Sequence, residues 1–312
     1  MASSFSKHQN GNGAHPTVNA ALQERLQKRG GIHLSFLRCP VDNSPLTPAD
    51  GGLACQHDPT HIYPLENGVY RLVTPQQAAA FEAQSAAEAQ SLQAQGWLPP
   101  DADTFRQLPQ TGLEGWPIPY WQRRANVTAE LWRVLEAARR DAEMLPIGSM
   151  GYALDISDGM GWLAYCLDVS GFNTIGVSQH VGPYGLTAYP YARFLRVQAS
   201  CETLPFEKEA FHLVVFSFSL EKLPDPEATL RKAAGFLQAG AHLAVMLDAS
   251  DDELNGKQDL VELAETVMRE AGLQVERRRV TPIGNPVAKI TQTLRRVGAD
   301  SPALVVGRLI TG

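Results

Sequence analysis

The stretch Tyr152-Ala-Leu-Asp-Ile-Ser-Asp-Gly-Met-Gly-Trp162 decides the fold of this chain. Its start, Tyr152–Ile156, has the pattern of a buried strand, and Trp162–Val169 is an apolar helical segment. Between them, Gly159 and Gly161 allow a turn in which the backbone approaches a ligand closely. The helix that follows presents free N–H groups at its N-terminus. The stretch therefore predicts a ligand site at the carboxyl end of a first strand.

The chain from this stretch onward alternates short apolar runs with helical segments, which is the βαβ signature. The fourth apolar run is hydrophobic almost throughout, as in a strand covered on both faces. We expect an α/β domain over 147–312. Its strands are expected at Tyr152–Ile156, Asn173–Val177, Phe194–Gln198, His212–Ser219, His242–Leu247, Gln274–Val280 and Ala303–Ile310, with later helices at Ala228–Leu237 and Asp259–Ala271.

Further motifs follow the glycine turn in order: Glu202-Thr-Leu-Pro-Phe206, Ser219-Leu-Glu-Lys-Leu-Pro-Asp-Pro226 and Leu237-Gln-Ala-Gly240. In order and spacing, the run from Ala153 to Met246 resembles the class I S-adenosylmethionine-dependent methyltransferases. It is most similar to the small-molecule branch that includes quinone-biosynthesis methyltransferases. The resemblance implies a Rossmann-like seven-stranded sheet, S-adenosylmethionine as cofactor, and methyl transfer to an O or C atom of a small-molecule acceptor.

The resemblance also implies cofactor contacts position by position, and several of the family's side chains are replaced. Asp155 matches the acid that orders the turn, and Ser157 stands for its first glycine. Ser178 and Gln179 stand where the family has an acid for the ribose hydroxyls, and Ser200 where it has one facing the adenine. Losing one charged hydrogen bond, about 1.5–3 kcal/mol, weakens binding about 10- to 100-fold. The cofactor-binding residues implied are Asp155, Ser157, Gly159, Gly161, Ser178, Gln179, Ser200, Cys201, Ser217, Tyr120 and Arg123.

Methyl transfer itself requires in-line placement of the acceptor and, for some acceptors, a base. Glu221, after the fourth strand, is the candidate catalytic base, and a solvated ion pair with Lys222 is the alternative interpretation. We interpret His180, His212 and His242 as structural or exposed. The lost acids leave a second function open: a non-catalytic methyltransferase-like scaffold or partner-binding subunit, whose cofactor cavity is absent or filled by side chains.

A second resemblance lies in 31–74, with expected strands at Ile32–Leu37 and Val69–Val73. Its motifs Cys39-Pro40, Cys55, Tyr63-Pro-Leu65 and Glu66-Asn-Gly68 resemble the small zinc ribbon found at the N-terminus of some methyltransferases and as a free activator of others. The second cysteine of each pair is missing. By resemblance, a zinc site would use Cys39, Asp42, Cys55 and His57, or His61 in place of His57. Fewer thiolates lower zinc affinity, so a metal-free ribbon held by apolar packing is the alternative.

Two further segments complete the expected organisation. Residues 1–30 are polar and are expected to form a disordered tail. Residues 75–146 are expected to be a helical connector, with helices at Pro75–Gln95 and Thr128–Glu143. The resemblance implies that such a connector closes over the cofactor, so that Tyr120 and Arg123 wall the pocket. Aromatic packing between segments is the alternative for these residues.

Composition restricts the partners. The 312 residues carry a formal net charge of −6, which disfavours a nucleic-acid substrate, including the RNA that zinc ribbons often guide to methyltransferases. The apolar runs are far shorter than the roughly 20 residues of a membrane helix, and the N-terminus has no secretory pattern. Four scattered cysteines suit a reducing cytoplasm. A small-molecule acceptor and a protein partner remain compatible with the sequence.

Overall fold

The computed structural model describes residues 34–140, 151–157, 159–247, 260–280 and 303–310, and the expected tail at 1–30 lies outside them. The strands described are β1 (Leu46–Ala49), β2 (Gly52–Cys55), β3 (Ile62–Glu66), β4 (Val69–Leu72), β5 (Tyr152–Ser157), β6 (Asn173–Ser178), β7 (Leu195–Ala199), β8 (Phe211–Ser217), β9 (Leu237–Leu247), β10 (Leu273–Arg279) and β11 (Ala303–Leu309). The helices described are α1 (Pro75–Ala94), α2 (Ala102–Arg106), α3 (Ile118–Arg140), α4 (Trp162–Val169), α5 (Pro226–Ala234) and α6 (Leu260–Glu270). None of these helices is long and apolar enough to cross a membrane.

The described strands form one sheet in the order β1-β2-β3-β4-β7-β6-β5-β8-β9-β11-β10. Strands β7, β6, β5, β8 and β9 are parallel, whereas β11 runs antiparallel to both β9 and β10. From β5, the chain adds β6 and then β7 on one side of the sheet, and then crosses to add β8 and β9 on the other side. The expected seven-stranded Rossmann-like sheet is therefore confirmed, with its topological switch point between β5 and β8.

The N-terminal module extends this sheet. Strands β1 to β4 form an antiparallel meander, and β4 pairs in parallel with the edge strand β7, with Val69 opposite Arg196 and Leu72 opposite Ala199. Because the pair is parallel, β4 ends at the same sheet edge as β7. Helix α1 begins there with a capping box, in which Thr74 and Gln77 satisfy each other's backbone N–H groups.

The helices cover both faces of the sheet with apolar side chains. On one face, α2, α3 and α4 bury an aromatic-rich cluster that includes Phe105, Trp121 and Trp162. On the other face, α5 and α6 pack with the N-terminal module around Leu37 and Phe211. Strand β8 is buried except at its second residue, as its apolar run predicts.

Four expected boundaries are wrong. Helix α3 begins at Ile118 rather than Thr128, because the prolines of the connector fall at the helix start, where they are tolerated. Helix α5 ends at Ala234, before the expected Leu237, and β9 begins at Leu237 rather than His242. The extra length in β9 is an irregular bulge opposite Phe211, with Gly240 at φ +78°. Within the expected strand Ile32–Leu37, Leu34 and Ser35 are helical and Leu37 forms an isolated bridge with Phe206.

Candidate functional site

A fully buried carboxylate joins the glycine turn to the rest of the sheet. Asp155 Oδ2 accepts a hydrogen bond from the backbone N–H of Ala164 in α4 at 2.9 Å. Asp155 Oδ1 accepts one from Ser217 Oγ, at the end of β8, at 2.5 Å. Asp155 therefore ties β5 to both α4 and β8, and the orientation of the turn depends on it.

The turn itself requires glycine at both positions that the sequence retains. Gly161 caps α4 at φ +69°, a left-handed conformation that L side chains rarely adopt. A Cβ at Gly159 would lie 2.9 Å from the carbonyl oxygen of Tyr184. Ser157 stands where the resemblance expects a third glycine, and its Oγ accepts a hydrogen bond from Gly159 N at 3.2 Å. The serine therefore helps to order the turn.

A cavity of about 410 Å³ opens at the carboxyl ends of β5, β6, β7 and β8. This is the edge and the switch point where ligands bind in open α/β sheets. Cavities that bind small molecules commonly measure about 300–1,000 Å³. The lining combines sheet-edge residues, loop residues and one face of α1: Ser157, Ser178, Gln179, His180, Cys201, Ser219, Lys222, Leu223, Gln84, Ala87 and Glu88.

Four of the predicted cofactor residues share this cavity, namely Ser157, Ser178, Gln179 and Cys201. The other predicted residues lie elsewhere. Asp155, Ser217, Gly159 and Gly161 build the turn beside the cavity, and Ser200 is buried with its Oγ accepting from Glu202 N at 3.2 Å.

The predicted wall of Tyr120 and Arg123 does not line the cavity. Tyr120 packs against Trp97 and Trp116, at centroid distances of 5.8 and 5.0 Å. The guanidinium over its ring belongs to Arg124, at 3.6 Å from the centroid, and not to Arg123. Arg124 follows Tyr120 by four residues in α3, a spacing that places two side chains on one face of a helix. Tyr120 therefore takes part in aromatic packing, which was the alternative interpretation for this residue.

Three charged or titratable residues line the cavity, namely Glu88, His180 and Lys222, and of these Glu88 was not predicted. Glu88 lies on α1, and its Oε2 is 3.0 Å from His180 Nδ1. Lys222 Nζ is 3.9 Å from Glu88 Oε1. His180, interpreted from the sequence as structural or exposed, lines the cavity and pairs with Glu88. No sequence signal marks Glu88, because α1 is rich in Ala, Gln and Glu without an apolar stripe.

The predicted base, Glu221, lies in a single 3₁₀ turn, Leu220–Lys222, after β8. Its neighbours Ser219 and Lys222 line the cavity, whereas Glu221 is not among the lining residues. Ser219 Oγ donates to the carbonyl oxygen of Ile156 at 2.6 Å, which fixes the start of this turn on β5. Catalysis by Glu221 stays a prediction.

A second cluster of chemically reactive side chains lies in the N-terminal module. Cys39, Asp42, Cys55 and His61 place one potential ligand atom each within 4.8 Å of the others. Of the two histidines predicted as alternatives for the fourth position, His61 belongs to the cluster, whereas His57 lies exposed outside it. The backbone N–H of Cys55 donates to the carbonyl oxygen of His61 at 3.0 Å. That bond closes the loop and brings His61 back beside the cysteines.

The spacing of these donors suits a tetrahedral zinc ion. Zinc bonds of about 2.0–2.3 Å place neighbouring ligand atoms of a tetrahedron about 3.3–3.8 Å apart. Cys39 Sγ lies 3.7 Å from His61 Nδ1, and Cys55 Sγ lies 3.3 Å from Asp42 Oδ2. A backbone hydrogen bond from Ser44 holds the pKa of Asp42 below its usual range, so the carboxylate is ionised, as a ligand must be.

Comparison with known proteins supports the fold reading. Residues 147–245 match a family model described as "Methyltransferase domain". No curated protein matches the chain significantly. The domain match and the strand order support an enzyme that uses S-adenosylmethionine.

Similar solved structures cover the larger part of the chain at low identity. An S-adenosylmethionine-dependent methyltransferase from Mesorhizobium loti shares 17% identity over 57% of this chain and 96% of its own, with a TM-score of 0.41. A chain in the complex of the Haloferax volcanii Trm112 methyltransferase activator with a methyltransferase shares 16% over 62% and 97%, with a TM-score of 0.42. Haemonchus contortus phosphoethanolamine N-methyltransferase 2, in complex with S-adenosyl-L-methionine, shares 14% over 58% and 53%, with a TM-score of 0.41. At these identities, substrates and partners do not carry over to this chain.

Proposed function

We propose that this protein transfers a methyl group from S-adenosylmethionine to an O or C atom of a small-molecule acceptor. The observation that carries the proposal is the cavity at the carboxyl edge of β5, β6, β7 and β8, whose lining includes several polar side chains. The non-catalytic alternative expects this cavity to be absent or filled by side chains. A cavity of about 410 Å³ beside an intact strand–turn–helix unit favours the enzyme instead.

The side chains around the cavity have distinct roles in this proposal. The Asp155 carboxylate and the Gly159–Gly161 turn hold the backbone that faces the methionine end of the cofactor. Ser178 and Gln179 face the ribose, and Cys201 lies on the adenine side. Because these three groups are neutral, they supply weaker hydrogen bonds than a carboxylate does.

The bound cofactor supplies an already activated methyl group, so the chain has to place the acceptor and remove its proton. The loop after β8 carries Ser219, Lys222 and Leu223 into the cavity, and it is the element we assign to the acceptor. Glu221 in the same loop is the proposed base. For a hydroxyl acceptor, its carboxylate would take the proton while the methyl group passes from the cofactor's sulfonium to the acceptor oxygen; the S–CH₃ bond would break and S-adenosylhomocysteine would leave.

Methyl transfer is tested by incubating the protein with S-adenosylmethionine carrying a radioactive methyl group and a cell extract. Label is expected in a new small molecule that chromatography of the ultrafiltrate separates from the cofactor, and protein without a functional turn, Gly161→Val, serves as the control. Label that stays with protein or nucleic acid would overturn the small-molecule acceptor.

We also propose that Cys39, Asp42, Cys55 and His61 hold a zinc ion. All four tetrahedral positions are then filled by protein ligands, which is typical of structural and not catalytic zinc. The ion would hold together the loops that carry β2 and β3, and through them β4 at the sheet edge.

A further inference from the structure

The ribose end of the cavity lacks a carboxylate on its own strand. In doubly wound folds, an acid at the end of the second strand commonly binds the ribose hydroxyls. Here β6 ends in Ser178, whose Oγ accepts from the backbone N–H of His180 at 3.1 Å. Residues 177–181 read Val-Ser-Gln-His-Val and contain no acid. A strong acceptor for two hydroxyl groups therefore has to come from another element.

Helix α1 brings a carboxylate to this place because of the way β4 joins the sheet. The parallel pair of β4 with β7 starts α1 at the carboxyl edge of the sheet. Glu88 lies about 20 Å along the helix from Pro75, at about 1.5 Å per residue. Strand β5 lies roughly 14 Å from β4, at about 4.8 Å per strand, so the helix is long enough to reach the strands that line the cavity. Glu88 lines the cavity together with Ser178 and Gln179.

The second carboxylate of α1 has a different position. Glu82 pairs with Arg71 of β4, with its Oε1 2.5 Å from the guanidinium, and it does not line the cavity. The two glutamates therefore have separate surroundings on one helix, which makes Glu82 a matched control for Glu88.

One contact holds the Glu88 carboxylate and a second fastens its helix, while one carboxylate oxygen keeps capacity to accept hydrogen bonds. His180 Nδ1 faces Oε2 at 3.0 Å, and Ser85 Oγ accepts from Val181 N at 3.4 Å, which fastens α1 to the loop after β6. Lys222 Nζ lies 3.9 Å from Glu88 Oε1, which is beyond hydrogen-bond distance, and the lysine side chain is half exposed. Since a carboxylate accepts about four hydrogen bonds, Oε1 is suited to two neighbouring hydroxyls.

We propose that Glu88 of the connector helix binds the ribose hydroxyls of the cofactor, in place of the acid that the end of β6 lacks. This inference rests on the proposed function, since it assumes that the cavity takes S-adenosylmethionine. It makes the docking of α1, and so the pairing of β4 with β7, a requirement for tight cofactor binding. His180 is the positioning residue that holds the carboxylate towards the ribose.

The experiment compares two probes by isothermal titration calorimetry: S-adenosylhomocysteine and its 2′,3′-dideoxy analogue. Wild-type protein, Glu88→Gln and the control Glu82→Gln are titrated with each, and their melting temperatures show that all three fold. We expect Glu88→Gln to weaken S-adenosylhomocysteine binding about 10- to 100-fold, since a charged acceptor becomes neutral. The dideoxy analogue should bind Glu88→Gln and wild type equally, because it has no hydroxyls to lose. Glu82→Gln should match wild type with both probes.

Two results overturn the assignment of Glu88. Either Glu88→Gln binds S-adenosylhomocysteine as tightly as wild type, or it weakens both probes by the same factor, which means that it disturbs the cavity without contacting the hydroxyls. Failure of the wild-type protein to bind S-adenosylhomocysteine at all is a different result, since it contradicts the proposed function itself.

Discussion

The Asp155 carboxylate joins three elements from a fully buried position, so its removal is expected to destabilise the fold strongly. Asp155→Ala deprives Ser217 Oγ and Ala164 N of their acceptor, at 2.5 and 2.9 Å respectively. Leaving a buried donor unsatisfied costs about 1–3 kcal/mol, so the two together cost about 2–6 kcal/mol. Unfolding free energies are commonly only about 5–15 kcal/mol, so this loss is a large share of the total.

Urea unfolding followed by tryptophan fluorescence measures this loss, because Trp162 begins the helix that Asp155 anchors. Asp225→Ala is the control, since Asp225 accepts from Ala228 N at the exposed N-terminus of α5. That cap is worth about 1 kcal/mol. If Asp155→Ala lowers the free energy of unfolding no more than Asp225→Ala does, Asp155 is not the tie between β5, α4 and β8 that we describe.

Three further predictions concern pH, metal and chemistry. Burial lowers the pKa of His212, whose Nδ1 accepts a hydrogen bond from Tyr152 N at 3.2 Å, so protonation of this histidine favours the unfolded chain. Its contribution to stability is therefore full above the pKa of the unfolded chain, about 6.5. That contribution is lost as the pH falls through the lower pKa of the folded protein. The fall in melting temperature from about pH 7.5 to about pH 5.5 should therefore be smaller in His212→Gln, and an equal fall would contradict this. Mass spectrometry of the metal content should find zinc in wild type and in the control Cys166→Ser but not in Cys55→Ser, and zinc-free wild type would refute the site. Glu221→Gln should lower the rate of label transfer by about 10²–10⁴ while S-adenosylhomocysteine affinity stays unchanged, and an unaltered rate would exclude Glu221 as the base.

The sequence predicted the catalytic half of the fold well because its signals are local. Most strands of this half are short apolar runs, and α4 occupies the predicted Trp162–Val169. The glycine turn was also readable, since Gly161 adopts a left-handed conformation that few other residues tolerate. The structure of such strands and turns is determined mainly by residues that are close together in the sequence.

The features that the sequence missed depend on contacts between distant segments. Glu88 reaches the cavity only because β4 pairs in parallel with β7, and the composition of α1 does not predict that pairing. The choice between His57 and His61, which the sequence left open, depends on one backbone hydrogen bond from Cys55 to His61 that sets the shape of a loop. The pocket wall assigned to Arg123 depended on the start of α3, which proline-rich sequence obscured.

Binding of S-adenosylmethionine to the purified protein tests the central claim most directly. Isothermal titration calorimetry should give saturable binding with one cofactor per chain, and Gly161→Val, which removes the left-handed cap of α4, should abolish it. Wild-type protein that releases no heat at millimolar cofactor would contradict the account and favour a methyltransferase-like subunit without catalysis.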